Sequence, residues 1–243
     1  MIRGLRIGAL AALGLLAAGR AGADEAACDR ADLAVTTVPV PPQSATAYRR
    51  AEAVAAAASL RRAVDVVLLG DSLTQLWPDA AIRDTFGPDV LNLGVGSDRT
   101  QNVLWRLGDA RYAGLAPRAV FLMIGTNNLG YGDKVCAIHD GLRRVVERLD
   151  AVWHRPRLVV VGVLPRGRHA GFRDAERLRL NAEVAAFLGE RGDAVFVDGA
   201  EAALRCAEDP CPAFTPDMIH LAPPGYAALG AAIRRRWDPP SAP

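Results

Sequence analysis

From Val64 onward short apolar runs alternate with longer amphipathic stretches, and this alternation constrains the fold more than any other feature of the chain. An apolar run without polar interruption suits a strand covered on both faces, as in a parallel sheet whose crossovers are helices. The pattern predicts strands over Val64–Leu69, Val90–Leu93, Ala119–Ile124, Leu158–Val163 and Ala194–Val197. Between them, Asp133–Trp153 carries Val135, Ile138, Leu142, Val145, Val146 and Leu149 in one helical stripe with arginines opposite. Arg173–Leu188 repeats that spacing and Pro223–Trp237 closes the chain. A parallel sheet sandwiched by helices follows, and 243 residues suit one domain around one core.

The segment before the first strand reads differently. Arg3 and Arg6 precede an apolar run from Ile7 to Ala18, and Ala21-Gly22-Ala23 supplies a small-residue cleavage site before Asp24. Residues 1–23 are therefore expected to be a signal peptide, the run being short for a membrane span. Residues 24–62 form an arm and a helix. Val38–Gln43 is extended and stiffened by prolines, an alanine-rich helix is predicted over Tyr48–Arg62, and neither carries a functional motif. The main domain is placed at 63–237, with a tail at 238–243. No later apolar run reaches spanning length, so no stable membrane insertion is expected after cleavage. Removing Arg3, Arg6 and Arg20 takes the formal charge from +2 to −1, a balance that argues against a nucleic-acid partner.

An exported chain meets an oxidising compartment, so Cys28, Cys136, Cys206 and Cys211 are candidates for disulfides. Cys206 and Cys211 bracket the turn-prone Ala-Glu-Asp-Pro, which leaves Cys28 for Cys136, although sequence alone permits three connectivities. No cysteine stands two residues from another and the histidines are scattered, so no zinc site is expected.

Ligands of an open parallel sheet bind beyond the carboxyl ends of its strands. Three polar loops should open there together: Gly70-Asp71-Ser72-Leu73, Gly94-Val95-Gly96-Ser97-Asp98 and Gly125-Thr126-Asn127-Asn128. Ser72, between a strand and a helix, is a candidate nucleophile; serine at such a position is also a common helix cap. A serine hydroxyl needs a base to remove its proton. Of the four histidines, His139 falls inside the long helix, His154 at its end and His169 in an arginine-rich loop. His220 instead stands three residues after Asp217, in a turn where carboxylate and imidazole can meet. The bland alternative is an exposed loop histidine beside an incidental aspartate. Donors for an oxyanion are available from the Asn127 side chain and from the glycine-rich turn after the second strand, residues that taken singly are ordinary turn chemistry.

In this order and spacing, Gly70-Asp71-Ser72-Leu73, Gly125-Thr126-Asn127-Asn128 and Asp217-x-x-His220 resemble the blocks of the SGNH, or GDSL-type, hydrolases. The resemblance runs from about Val64 to Trp237. Leu91-Asn92-Leu93-Gly94, Val103-Leu104-Trp105-Arg106-Leu107, Leu164-Pro165-Arg166-Gly167 and His220-Leu221 are further similar to the intracellular platelet-activating-factor acetylhydrolases within that family. The resemblance implies a flavodoxin-like three-layer α/β/α sandwich with a five-stranded parallel sheet, no metal or other cofactor, and ester hydrolysis through a covalent acyl-enzyme. It further implies Ser72 as nucleophile, His220 as base and then acid, Asp217 as its orienter and Asn127 as a side-chain oxyanion donor. The family's glycine donor precedes the aspartate of the second block, where this chain has Ser97 before Asp98. Donation uses the main-chain N–H, so Ser97 is expected to serve provided the turn does not demand a positive φ, with Gly96 available to relieve strain. Short polar loops without a lid suggest a small acyl group on a polar alcohol, sugar or lipid head group. The rival expectation is a non-catalytic carbohydrate-binding or scaffold protein on the same fold.

Overall fold

The computed structural model describes residues 27–198, 200–206 and 208–237, so the expected signal peptide at 1–23 and the tail at 238–243 lie outside the described residues. Five strands pair in parallel: β1 (Ala63–Gly70), β2 (Val90–Asn92), β3 (Ala116–Met123), β4 (Arg157–Val161) and β5 (Ala194–Val197). Their order is β2-β1-β3-β4-β5, the flavodoxin-like arrangement, in which the winding direction reverses between β1 and β3.

The apolar runs become buried strands because each strand feeds two cores. Val67 and Leu69 of β1, with Val120 and Leu122 of β3, point into one core. Val66 and Leu68, with Ala119 and Phe121, point into the other. The first core is closed by α2 (Ala45–Ser59), α5 (Thr100–Arg106), α7 (Val135–Trp153) and α8 (Asp174–Gly189). The second is closed by α4 (Asp79–Phe86), α9 (Glu201–Leu204) and α10 (Pro223–Arg234), with Trp77, Phe86, Phe121 and Trp237 packed ring against ring. The three-layer sandwich expected from the family resemblance is the observed fold.

Boundaries moved where side chains compete with backbone pairing. β4 stops at Val161 rather than Val163, because the Val163 N–H donates to Asn181 Oδ1 (2.8 Å) and its carbonyl accepts from Arg177 and Asn181. β3 begins earlier than its apolar run, at Ala116, since the ladder to Ala63 needs only main chain. The alanine-rich helix α2 starts at Ala45, not Tyr48, under a Ser44 cap whose hydroxyl oxygen accepts the Ala47 N–H. Helix α1 (Arg30–Thr37), closed by a reciprocal Asp29–Asp32 capping box, was not foreseen; nor were α4 and α5.

Two disulfides are present, Cys28–Cys136 and Cys206–Cys211. The first ties the start of α1 to the start of α7. The second closes the loop ahead of the turn that carries Asp217 and His220. Among the described residues no helix is long and apolar enough to cross a membrane.

Candidate active site

Ser72 opens the short helix α3 (Ser72–Gln75) directly after β1. Its neighbour Asp71 caps that helix by accepting the Leu73 N–H (2.9 Å), which fixes the serine at the mouth of the turn, half-buried. β1 lies on one side of the reversal in strand order and β3, leading into α6 (Thr126–Tyr131), on the other. The loops carrying Ser72 and Asn127 thus flank the crevice that such a reversal leaves at a sheet edge.

His220 reaches this crevice from a turn. Phe214 and Leu221 bridge antiparallel, Ala222 N–H donates to Ala213 O (2.9 Å) and Thr215 N–H to His220 O (2.8 Å). Behind the turn, Pro223 starts α10 at a position where its missing N–H costs nothing, and the Tyr226 hydroxyl donates to Leu73 O (2.9 Å). That bond pins α10 to the helix of Ser72. Residues separated by 148 positions then meet: His220 Nε2 stands 2.8 Å from Ser72 Oγ, and His220 Nδ1 stands 2.6 Å from Asp217 Oδ2.

Asp217 is built to remain a carboxylate. Its Oδ1 accepts from Ile219 N, His220 N and Thr215 Oγ1 at 2.7–3.0 Å. Partial burial opposes ionisation, but the bonds from His220, Ile219 and Thr215 outweigh it and hold the group well below the usual carboxylate range. An anionic partner on Nδ1 leaves Nε2 as the free lone pair facing the serine, an array that can take a proton from Ser72 Oγ.

The loop after β2 lies beside the serine. A Cβ on Gly96 would stand 3.9 Å from Ser72 Cβ, and one on Gly94 would collide with Gln75 N at 2.3 Å, so the chain passes α3 too closely for any side chain at 94. Gly96 N–H is already taken by Gln75 Oε1 (2.7 Å). Ser97 N–H donates to no acceptor among the described residues. The condition set on Ser97 is not met, since the turn places it at φ 65°; its N–H, unclaimed among the described residues, can still donate, at the cost of a left-handed non-glycine residue. The left-handed conformation falls on Ser97 rather than on Gly96, and the small exposed side chain of Ser97 tolerates it. The Asn127 amide donates to Asp98 O (2.9 Å), which orients its second N–H.

Beneath the loops lies a set of buried polar groups that sequence reasoning missed. Asp98 and Arg106, almost without exposure, pair at 2.7 Å, and Arg106 also donates to Leu93 O (2.9 Å). Burial raises the Asp98 carboxyl to about 6, against the pull of Arg106. Asp71 is raised further, to about 7, first by burial and then by the Asp98 charge, with the Leu73 N–H and Arg166 opposing. Asn128 accepts from Thr100 N (3.0 Å) and donates to Asp133 Oδ2 (2.9 Å), locking α6 to α5. A legible signal existed for one of these: an arginine eight residues after Asp98 inside an otherwise apolar stripe demands a buried anion.

The GDSL-like lipase/acylhydrolase family profile matches residues 68–228, spanning all of these loops. The chain is 33% identical over 171 residues to the platelet-activating factor acetylhydrolase IB subunit alpha1 of Bos taurus, covering 70% of this chain and 73% of that one. Against the human alpha2 subunit it is 27% identical over 173 residues, 68% of this chain and 72% of the other. Among solved structures, a GDSL-like lipase from Bacteroides thetaiotaomicron superposes with a TM-score of 0.60 at 18% identity, covering 76% and 95% of the two chains. A catalytic mutant of an acetylxylan esterase from Geobacillus stearothermophilus gives 0.57 at 16% identity, covering 71% and 93%. These two likenesses speak to the fold; the profile and the sequence identities reach the chain's ancestry, and they make it a member of the GDSL-like lipase/acylhydrolase family.

Proposed function

We propose that the protein is an exported serine ester hydrolase that removes short, acetyl-like acyl groups from a polar alcohol, sugar or lipid head group through a covalent acyl-enzyme. The observation that carries the reading is the unbroken relay from Asp217 Oδ2 through the His220 ring to Ser72 Oγ, at 2.6 and 2.8 Å. Ser72 Oγ attacks the ester carbonyl carbon while its proton passes to His220 Nε2. The carbonyl oxygen becomes an oxyanion and accepts from the Ser97 N–H and the free N–H of Asn127. Collapse breaks the bond to the alcohol, which leaves with the proton from His220. Water then attacks the acyl carbon, giving its proton to His220, and the acid departs as Ser72 recovers its own. Asp217 stays ionised throughout and stabilises the imidazolium.

The acetyl preference is supported by relatives named acetylhydrolase and a fold neighbour named acetylxylan esterase. Export is supported by the signal-like leader and by two disulfides, which persist in oxidising compartments. The test is turnover of p-nitrophenyl acetate. The wild type should hydrolyse it and Ser72→Ala should not, while retaining the native thermal transition. Near-normal turnover by Ser72→Ala refutes the serine mechanism, and a preference for octanoyl over acetyl esters refutes the acyl assignment.

A further inference from the structure

The proline arm before β1 lies outside the stretch matched by the family profile, yet it is bonded to α5 and lines a cleft together with Gly96 and Ser97. Its start is anchored by Cys28–Cys136 and by Thr36, whose hydroxyl donates to Ala137 O (2.6 Å) and whose carbonyl accepts from Thr100 Oγ1 (2.9 Å). Farther along, the Asn102 amide donates to Val40 O (3.1 Å) and Pro41 O (3.2 Å), and Val40 N–H donates to Gln101 O (3.2 Å). A segment rich in prolines has little conformational entropy to lose, so these bonds suffice to fix it as a wall.

That wall faces a cleft of about 310 Å³. Pro42, Gln43 and Ser44 line one side; Ser97, Arg99 and Tyr131 line the other. The cleft shares the Gly96–Ser97 turn with the reacting centre, so a substrate whose carbonyl lies at Ser72 can extend into it. Its volume is at the small end of the roughly 300–1,000 Å³ typical of small-molecule sites. Tyr131 presents 70% of its surface and lies at the end of the same helix as Asn127. The Arg99 guanidinium stacks 4.4 Å from the centre of the Tyr131 ring, with no carboxylate among the lining residues.

We infer that this arm-walled cleft is a saccharide subsite that seats the sugar ring of the ester's alcohol, with Tyr131 as its stacking platform and Gln43 and Arg99 as hydroxyl-binding groups. The inference deepens the proposed esterase function and rests on it. A quaternary ammonium head group is disfavoured, because the Arg99 guanidinium beside the ring repels a second cation and no carboxylate lines the cleft to hold one, while Tyr131 stays 70% exposed to a neutral ligand. A long acyl chain is disfavoured too, since the walls carry an amide, hydroxyls and a guanidinium. A pyranose fits both features: its C–H face covers a tyrosine ring, and its hydroxyls accept and donate at the rim.

The test compares kcat/KM for a mono-O-acetylated methyl pyranoside with kcat/KM for p-nitrophenyl acetate on the same preparation. The ratio of the two is insensitive to the folded fraction. Tyr131→Ala should lower that ratio tenfold or more, mainly through KM of the glycoside, and Tyr131→Phe should restore it to within twofold. Gln43→Ala should lower it about threefold. The deacetylated methyl pyranoside should inhibit the wild type competitively and Tyr131→Ala far more weakly. A ratio unchanged in Tyr131→Ala overturns the subsite while leaving the serine hydrolase reading intact. So does a ratio that falls only in Arg99→Gln and only for a phosphate-bearing ester, which would make the cleft a phosphate site. Failure of the wild type to hydrolyse either ester, together with no fluorophosphonate labelling, removes the hydrolase reading and the subsite with it.

Discussion

Two carboxylates hold nitrogen-bearing side chains within this site, and the two pairs differ in almost every respect. Asp98 and Arg106 are sealed, with side-chain exposures of 0% and 1%, and Arg106 is further held by main-chain carbonyls. Asp217 and His220 are open, at 46% and 28%, on a turn carried by a short bridge. A guanidinium keeps its proton at any working pH, so the sealed pair can only hold geometry. An imidazole set between a carboxylate and a hydroxyl can take up and return a proton, so the open pair can move charge. The difference separates two tasks: the pair away from solvent braces the Asn127 loop through Asp98, and the pair at the rim is the one we propose for the proton chemistry.

Breaking the open pair should therefore cost rate without cost in stability. His220→Ala is expected to lower kcat for p-nitrophenyl acetate by roughly 10⁴-fold or more, with a thermal midpoint near that of the wild type. The sealed pair should respond in the opposite currency. Arg106→Ala strands the Asp98 charge in the core and should destabilise the fold by about 3–5 kcal/mol in denaturant titration. An Arg106→Ala protein as stable as the wild type would erase the distinction.

A third carboxylate sharpens it. Asp71 is raised from 3.8 to about 7, so between those values the native state binds the proton more tightly than the unfolded chain. Its contribution to stability is present below about pH 4 and is lost as the pH rises through 7. Asp71→Asn keeps the acceptor for Leu73 N–H and removes the titration. The stability of the wild type relative to this variant should fall as pH rises from about 4 to 7, by roughly 4 kcal/mol at most, and then level off. A flat difference would place Asp71 in an ordinary environment. The smallest of these effects belongs to Asn127, whose side chain is bonded to the backbone of the sealed pair. Asn127→Ala should lower kcat/KM about a hundredfold while barely shifting the midpoint.

Much of this was legible beforehand because the residues concerned announce themselves locally. Apolar runs, broken only by Asp65 in the first and Asn92 in the second, mark strands buried on both faces, and all five were found with ends at most three residues off. Ser72 and Asn127 sit in short motifs directly after β1 and β3, and Asp217 and His220 in one turn just before α10, so each is marked by its local sequence. What escaped depended on distant partners. Ser97, not one of its neighbouring glycines, takes the positive φ, and the turn that demands it is packed against Gln75 of α3, a contact no pattern near residue 97 carries. The helix cap weighed for Ser72 falls instead to Asp71, and its perturbed carboxyl follows from burial and from Asp98, which only packing reveals. The arm at 38–44 has no motif at all; its place beside the site comes from Asn102 bonding to Val40 and Pro41, 62 and 61 residues away.

The central claim is that Ser72 is nucleophilic because His220 and Asp217 make it so. Mapping the adduct of a fluorophosphonate by peptide mass spectrometry tests it most directly. The account predicts a single modified residue, Ser72, with labelling slowed by orders of magnitude in His220→Ala. An adduct on another serine, or equal labelling rates with and without His220, would contradict it.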